Sequence, residues 1–264
     1  MIEEIKIKSG KYNIHADLYL PIGGQSKPAV IILPEFLGNK RYEHYVNLAE
    51  RLKFLGHIVI CFNPIGTWDH DDTSLYSVSQ YLSDFCCVEK YTWENYGYAL
   101  EVILCGHSLG GMIALLSPTN YLSCRARIAI MPPQYEITKR NTESREEWRE
   151  KGFKISIREF QMETRNFRVP YSFEKDRSQY CTLDGIPISK SYIDIKEIQC
   201  PFLFIAGERD AVVSPENVWE IYKRANKPKR FVVLEGVQHN YRENNRMILK
   251  VNNQIINFLD ENKL

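Results

Sequence analysis

Two textures of hydrophobic patterning divide this chain. From Ile2 to Lys8 and from Tyr12 to Leu20 polar and apolar residues alternate, the signature of half-buried strands, and Ser9-Gly10 between them reads as a turn. Beyond Leu20 the alternation stops. Ala29 to Leu33 (AVIIL), His57 to Phe62 (HIVICF), Val102 to Cys105 (VILC), Ile128 to Met131 (IAIM), Pro201 to Ile205 (PFLFI) and Phe231 to Leu234 (FVVL) are short unbroken apolar runs. Strands covered on both faces of a parallel sheet require such runs.

Helix-length segments separate the runs: Arg41 to Leu55, Leu75 to Leu100, Leu109 to Leu116, Pro215 to Ala225 and Arg242 to Leu259. In the last of these Ile248, Val251, Ile255 and Leu259 recur every three or four residues, an apolar stripe that can dock on a sheet. Ser214-Pro215 supplies an N-cap followed by proline at the first helical position. Strand and helix therefore alternate, which predicts an α/β fold with a mostly parallel, doubly wound sheet of about eight strands. Residues 132–199 break the rhythm, with charged and aromatic residues in place of strand-like runs. The stretch is too long for a loop and is expected to be an inserted, partly helical cap over the carboxyl ends of the strands, where open α/β sheets bind ligands. The expected division is thus a catalytic domain of 1–131 and 200–264 with a cap of 132–199. A decorative surface insertion is the other reading of the same stretch.

Composition narrows the function classes. Thirty-four Lys and Arg against 33 Asp and Glu leave no basic field to attract nucleic acid or anionic membrane. No run approaches the length of a membrane span, and the first twenty residues lack the pattern of a secretory signal. The seven cysteines, at 61, 86, 87, 105, 124, 181 and 200, show no CxxC pairing, so a zinc site is not indicated and a reducing, cytoplasmic setting is expected. Asp69, His70, Asp71 and Asp72 could suggest a cation site, but an acidic, solvated loop explains them as well. YTWENYGYAL, before the third apolar run, reads as helix packing or as a homodimer surface.

The sharpest chemical signal is Gly106-His107-Ser108-Leu109-Gly110-Gly111, because this G-x-S-x-G follows an apolar strand and opens an apolar helix. A nucleophile on such a turn has strained backbone angles, and side chains at the flanking glycines would collide with the neighbouring strand and helix. A serine hydroxyl needs a base within hydrogen-bond reach. Of six histidines only His239 lies downstream of Ser108, in the loop EGVQHNYRE after the run FVVL. The preceding strand leads into PFLFIAGERDAVVSP, which offers Glu208 and Asp210 as an orienting acid.

The elbow GHSLGG, the loop GERDAVVSP and the loop GVQHN together make the chain resemble the α/β-hydrolase superfamily over nearly its whole length outside the cap. Within it the chain is similar to small capped carboxylesterases, including the feruloyl and cinnamoyl esterase-like group. The resemblance implies a triad in the order Ser108, Asp210, His239, preferring Asp210 over Glu208 as the acid. It also implies an oxyanion hole from the backbone N–H groups of Leu109 and Phe36. One departure stands out: Pro34-Glu35 replaces the family's usual His-Gly pair, and a carboxylate there is unfavourable unless it points away or pairs with a cation.

The implied activity is carboxylic ester hydrolysis of a small-molecule substrate through an acyl-serine, without a cofactor or metal. The same triad could serve a thioester, an acylglycerol or a carbon–carbon bond, and a non-catalytic ligand-binding protein on this fold is the rival from another class. Trp148, Phe153, Phe160, Phe167, Tyr171, Phe173, Tyr180 and Tyr192 could line an acyl pocket or form the cap's own core.

Overall fold

The apolar runs lie side by side. In the computed structural model, which describes residues 2–23, 27–96, 101–133, 142–180 and 195–264, β3 (Ala29–Leu33) runs parallel to both β4 (Val59–Asn63) and β5 (Glu101–His107). β5 pairs in parallel with β6 (Ser123–Ile130), β6 with β9 (Phe202–Gly207), and β9 with β10 (Lys229–Leu234). The alternating amino-terminal strands β1 (Ile2–Ser9) and β2 (Tyr12–Tyr19) form an antiparallel edge on β4, giving the order β1-β2-β4-β3-β5-β6-β9-β10. Every residue of β3, β4 and β9 is buried, as unbroken apolar runs require.

The helices α1 (Glu43–Phe54), α2 (Val78–Tyr96), α3 (Leu109–Leu116), α6 (Pro215–Arg224) and α7 (Asn245–Glu261) fall where the spacing predicts them, with trimmed ends. α7 buries Ile248, Val251, Ile255 and Leu259, each contributing roughly 2 kcal/mol of apolar burial. It begins three residues later than Arg242, because Tyr241–Glu243 form a 3₁₀ turn and the Asn244 side chain caps the helix at Arg246 and Met247. β4 starts at Val59 rather than His57, whose buried ring hydrogen-bonds the Pro28 carbonyl at 2.8 Å.

The inserted segment is more than helical. α4 (Thr142–Lys151) and α5 (Tyr171–Ser178) flank an antiparallel hairpin of β7 (Phe153–Phe160) and β8 (Glu163–Pro170). The hairpin lay hidden in the sequence because its tip is Gln161-Met162, with Gln161 at φ 55°, and has none of the usual turn residues. The segment docks on the loops past β3 and β4: Phe36 meets Phe173 at 5.0 Å between ring centroids and Trp68 meets Phe167 at 5.3 Å. Polar ties add to this, with Arg165 donating to the His70 carbonyl at 2.7 Å and the Ser79 N–H to Asp176 at 2.9 Å. Trp148, Phe167, Phe173 and Tyr180 are buried, Phe153, Phe160 and Tyr171 are half-buried, and Tyr192 lies outside the described residues. Among the described residues, no helix is long and apolar enough to cross a membrane.

Candidate active site

The elbow forms as its glycines demand. Ser108 sits between β5 and α3 at φ 51°, ψ −119°, a left-handed conformation that costs an L residue about 1–3 kcal/mol and persists only when the surroundings enforce it. They do so by close approach. A Cβ at Gly106 would lie 2.1 Å from the Gly110 carbonyl oxygen, and one at Gly110 would lie 1.9 Å from that of Leu33. The amino end of α3 is thereby pressed against the carboxyl end of β3. The Ser108 N–H is tied to the Ile130 carbonyl at 2.8 Å.

Three strand ends bring the remaining residues to the serine. His239, in the loop after β10, places Nε2 3.0 Å from Ser108 Oγ, and its Nδ1 is 2.7 Å from Asp210 Oδ2. Asp210, past β9, is buried, and its Oδ1 accepts the N–H groups of Val212 and Val213 at 2.8 and 2.7 Å. Its two oxygens are thus fully spoken for, one by the loop and one by the histidine. Glu208 points elsewhere and accepts the Gly236 N–H at 2.9 Å, so it splints the acid loop to the histidine loop instead of being merely solvated. Leu109 opens α3, and Phe36 lies two residues past the Pro34 carbonyl that Gly110 packs against. Neither of their N–H groups has a hydrogen-bond partner among the described residues.

Glu35 is the residue whose surroundings the sequence left unread. Its carboxylate is buried, with Oε1 accepting from Arg242 Nη1 at 2.6 Å and Oε2 accepting from the Tyr45 hydroxyl, which in turn accepts the Glu35 N–H at 2.9 Å. His107 Nδ1 and His44 Nε2 stand 3.7 and 3.8 Å from Oε2, too far for hydrogen bonds. Burial alone would raise the Glu35 pKa, but the carboxyl is held well below the usual range, and with the histidines neutral the charge opposing burial is the Arg242 guanidinium at 2.6 Å. Burial drives the histidines the other way, lowering His107 and taking His44 down to about 3. A neutral histidine pair and a paired carboxylate therefore surround the floor of the site, and Pro34-Glu35 places its charge on Arg242 rather than free beside Phe36 and Leu109. His107 also packs against His239, with ring centroids 5.0 Å apart.

Glu35, His44 and His107 have the composition of a metal-binding set, with donor atoms within 4.8 Å of one another. Their carboxylate already carries the guanidinium of Arg242 and the hydroxyl of Tyr45. The acidic run after β4 does not converge at all: Asp69 accepts from Asn63, Asp71 pairs with Arg165 and Asp72 caps a 3₁₀ turn at Ser74. Arg242, Tyr45, His44 and His107 had no signal in the sequence beyond residue type, because tertiary packing alone unites them.

No family model matches the chain. Over 220 residues it is 24% identical to the mouse mitochondrial palmitoyl-protein thioesterase ABHD10, covering 78% of this chain and 67% of that protein. The solved structure of mouse alpha/beta hydrolase domain-containing protein 10 superposes with a TM-score of 0.71 at 20% identity, over 98% of this chain and 99% of that one. Est1E from Butyrivibrio proteoclasticus, with ferulic acid bound, superposes with a TM-score of 0.73 at 18% identity over 98% of each chain. The chain has the α/β-hydrolase fold.

Proposed function

We propose that this α/β-hydrolase-fold protein is a serine hydrolase that cleaves a small-molecule carboxylic ester through an acyl-serine, with Ser108 as nucleophile, His239 as general base and Asp210 as orienting acid. The observation that carries the reading is the unbroken line from Asp210 through His239 to a strained Ser108, with contacts of 2.7 and 3.0 Å. With Nδ1–H donated to Asp210, Nε2 is free to take the Ser108 proton as Oγ attacks the carbonyl carbon. The oxyanion that develops would be met by the idle N–H groups of Leu109 and Phe36. Collapse expels the alcohol, which takes the proton from His239. Water, deprotonated by the same histidine, then attacks the acyl carbon, the bond to Ser108 Oγ breaks to release the carboxylic acid, and Oγ recovers the proton from His239.

A thioester is the second reading, favoured by the palmitoyl-protein thioesterase as sequence relative. The chemistry at Ser108 is unchanged, since only the leaving atom differs. Est1E, whose structure holds ferulic acid, favours the oxygen ester. The six thiols described as free support a reducing compartment such as the cytoplasm.

The test is p-nitrophenyl ester hydrolysis alongside covalent labelling by a fluorophosphonate, for the wild type and for Ser108→Ala. Wild type should turn over and label, while the variant should lose labelling and drop in kcat by a factor on the order of a million. A wild type that does neither removes the enzymatic reading and leaves the ligand-binding alternative.

A further inference from the structure

Strand β7 is inside out, although its partner β8 buries Phe167 and Val169 in the usual way. Along β7 the alternating positions Ile155 and Ile157 point to solvent, 53% and 58% exposed, while Lys154 and Arg158 are half-buried on the opposite face. A strand that packs on a protein normally turns its isoleucines inward and its cations outward. Both inward cations lie against Phe36: Lys154 Nζ is 5.2 Å from the ring centroid and Arg158 Cζ is 5.6 Å from it. Phe36 is the residue whose backbone N–H is idle beside the Ser108 elbow.

Neither cation has a carboxylate at ion-pair distance among the described residues. Lys154 otherwise sits over Trp148, 3.8 Å from the ring centroid, and Arg158 hydrogen-bonds the carbonyl of its own neighbour Ile157 at 2.8 Å. The cations around them are matched: Arg145 and Arg177 share Glu174, and Arg242 holds Glu35. Among the described residues, the nearby carboxylates Glu174 and Glu35 are thus engaged by other cations, and neither lies at ion-pair distance from Lys154 or Arg158. The lysine registers these surroundings. Burial first, then the Arg177, Arg158 and Arg145 charges against the opposing Glu174, pull its pKa down to about 8.

We infer that Lys154 and Arg158 form a subsite for an anionic group, so that the ester or thioester processed at Ser108 carries a carboxylate or a phosphate. The inference rests on the serine hydrolase reading and specifies its substrate class. An arriving anion supplies the missing counter-charge, and the two cations can share it because both charged ends lean to within 5.2 and 5.6 Å of the same Phe36 ring centroid. The flanking Phe36 and Trp148 rings accept the apolar stem that joins the anion to the scissile bond.

The test compares matched pairs at low salt: p-nitrophenyl hydrogen adipate against p-nitrophenyl hexanoate, and acetyl-coenzyme A against S-acetyl-N-acetylcysteamine. Wild type should favour the anionic member of one pair in kcat/KM by about tenfold or more, as expected for a charge-assisted contact. The pair that responds separates a carboxylate on the acyl side from a phosphate on the leaving group. The combined variant Lys154→Met and Arg158→Gln, which keeps the packing volume, should bring that ratio close to one, and Arg158→Glu should invert it. Raising the salt should erode the wild-type ratio. Ratios near one in the wild type, or a ratio that survives in the combined variant, overturn the subsite while fluorophosphonate labelling of Ser108 stands. Absence of labelling and of all turnover removes the hydrolase reading and this inference with it.

Discussion

Replacing Glu35 by glutamine tests whether the departure at Pro34-Glu35 organises the site or merely occupies it. The carboxylate joins three pieces of chain: the loop that carries Phe36, the 3₁₀ turn that carries Arg242 three residues past His239, and helix α1 through Tyr45. Glutamine retains one acceptor oxygen and the shape of the side chain but leaves the Arg242 guanidinium without its counter-charge. Removing one partner of a buried ion pair costs 3–5 kcal/mol in general; Arg242 is partly exposed, so about 2–3 kcal/mol is expected here. At about 2–4 °C per kcal/mol for a chain of this size, the thermal midpoint should fall by roughly 5–10 °C. Because the Phe36 loop and the His239 loop both lose the same anchor, kcat on p-nitrophenyl esters should fall about tenfold or more with KM changing less. A double cycle with Arg242→Gln isolates the pair: if the pair acts as a unit, the combined variant is no worse than Glu35→Gln alone. A glutamine variant with an unchanged midpoint and unchanged kcat would refute the argument, since the carboxylate would then be a bystander.

Two further substitutions probe the frame. Gly110→Ala would put a Cβ 1.9 Å from the Leu33 carbonyl oxygen, so it should cost about 3 kcal/mol or more and destroy Ser108 labelling; a variant with native midpoint and labelling contradicts the close packing of α3 on β3. Asp84 is buried under β1 and accepts from the Ile65 N–H and the Gln80 amide at 2.8 Å each, yet burial raises its pKa to about 7. The folded state therefore binds a proton more tightly than the unfolded chain, and stability should decline from about pH 4 to about pH 7 by on the order of 3 kcal/mol through this group. Denaturant melts across that range should show a smaller decline for Asp84→Asn than for the wild type, and parallel curves would remove Asp84 from the account.

What the sequence could disclose divides along the origin of each contact. β3, β4 and β9 were legible because a strand buried on both faces admits hardly any polar residue, and that demand is written in consecutive positions. Ser108 was legible for a similar reason: backbone strain and close approach require Gly106 and Gly110, so a local geometric need leaves a local spelling. His239 and Asp210 share no such spelling. They were reachable only through the order of strands, since each stands at the end of one, and the structure brings all three side chains within hydrogen-bond distance. The Glu35 cluster lay beyond that reach. Its members come from α1, β5, the β3 loop and the turn before α7, and nothing in the spacing of His44, His107 and Arg242 distinguishes them from surface residues. β7 inverts the rule: FKISIREF alternates, but its alternation points the isoleucines outward, so a reader expecting apolar residues to face inward would place the wrong side against the site. A strand that reverses the usual pattern gives up burial on two isoleucines, roughly 2 kcal/mol each. Two cations held against Phe36 are what the inversion obtains in return, which makes the inward face of β7 the place where the requirements of a ligand outweigh those of packing.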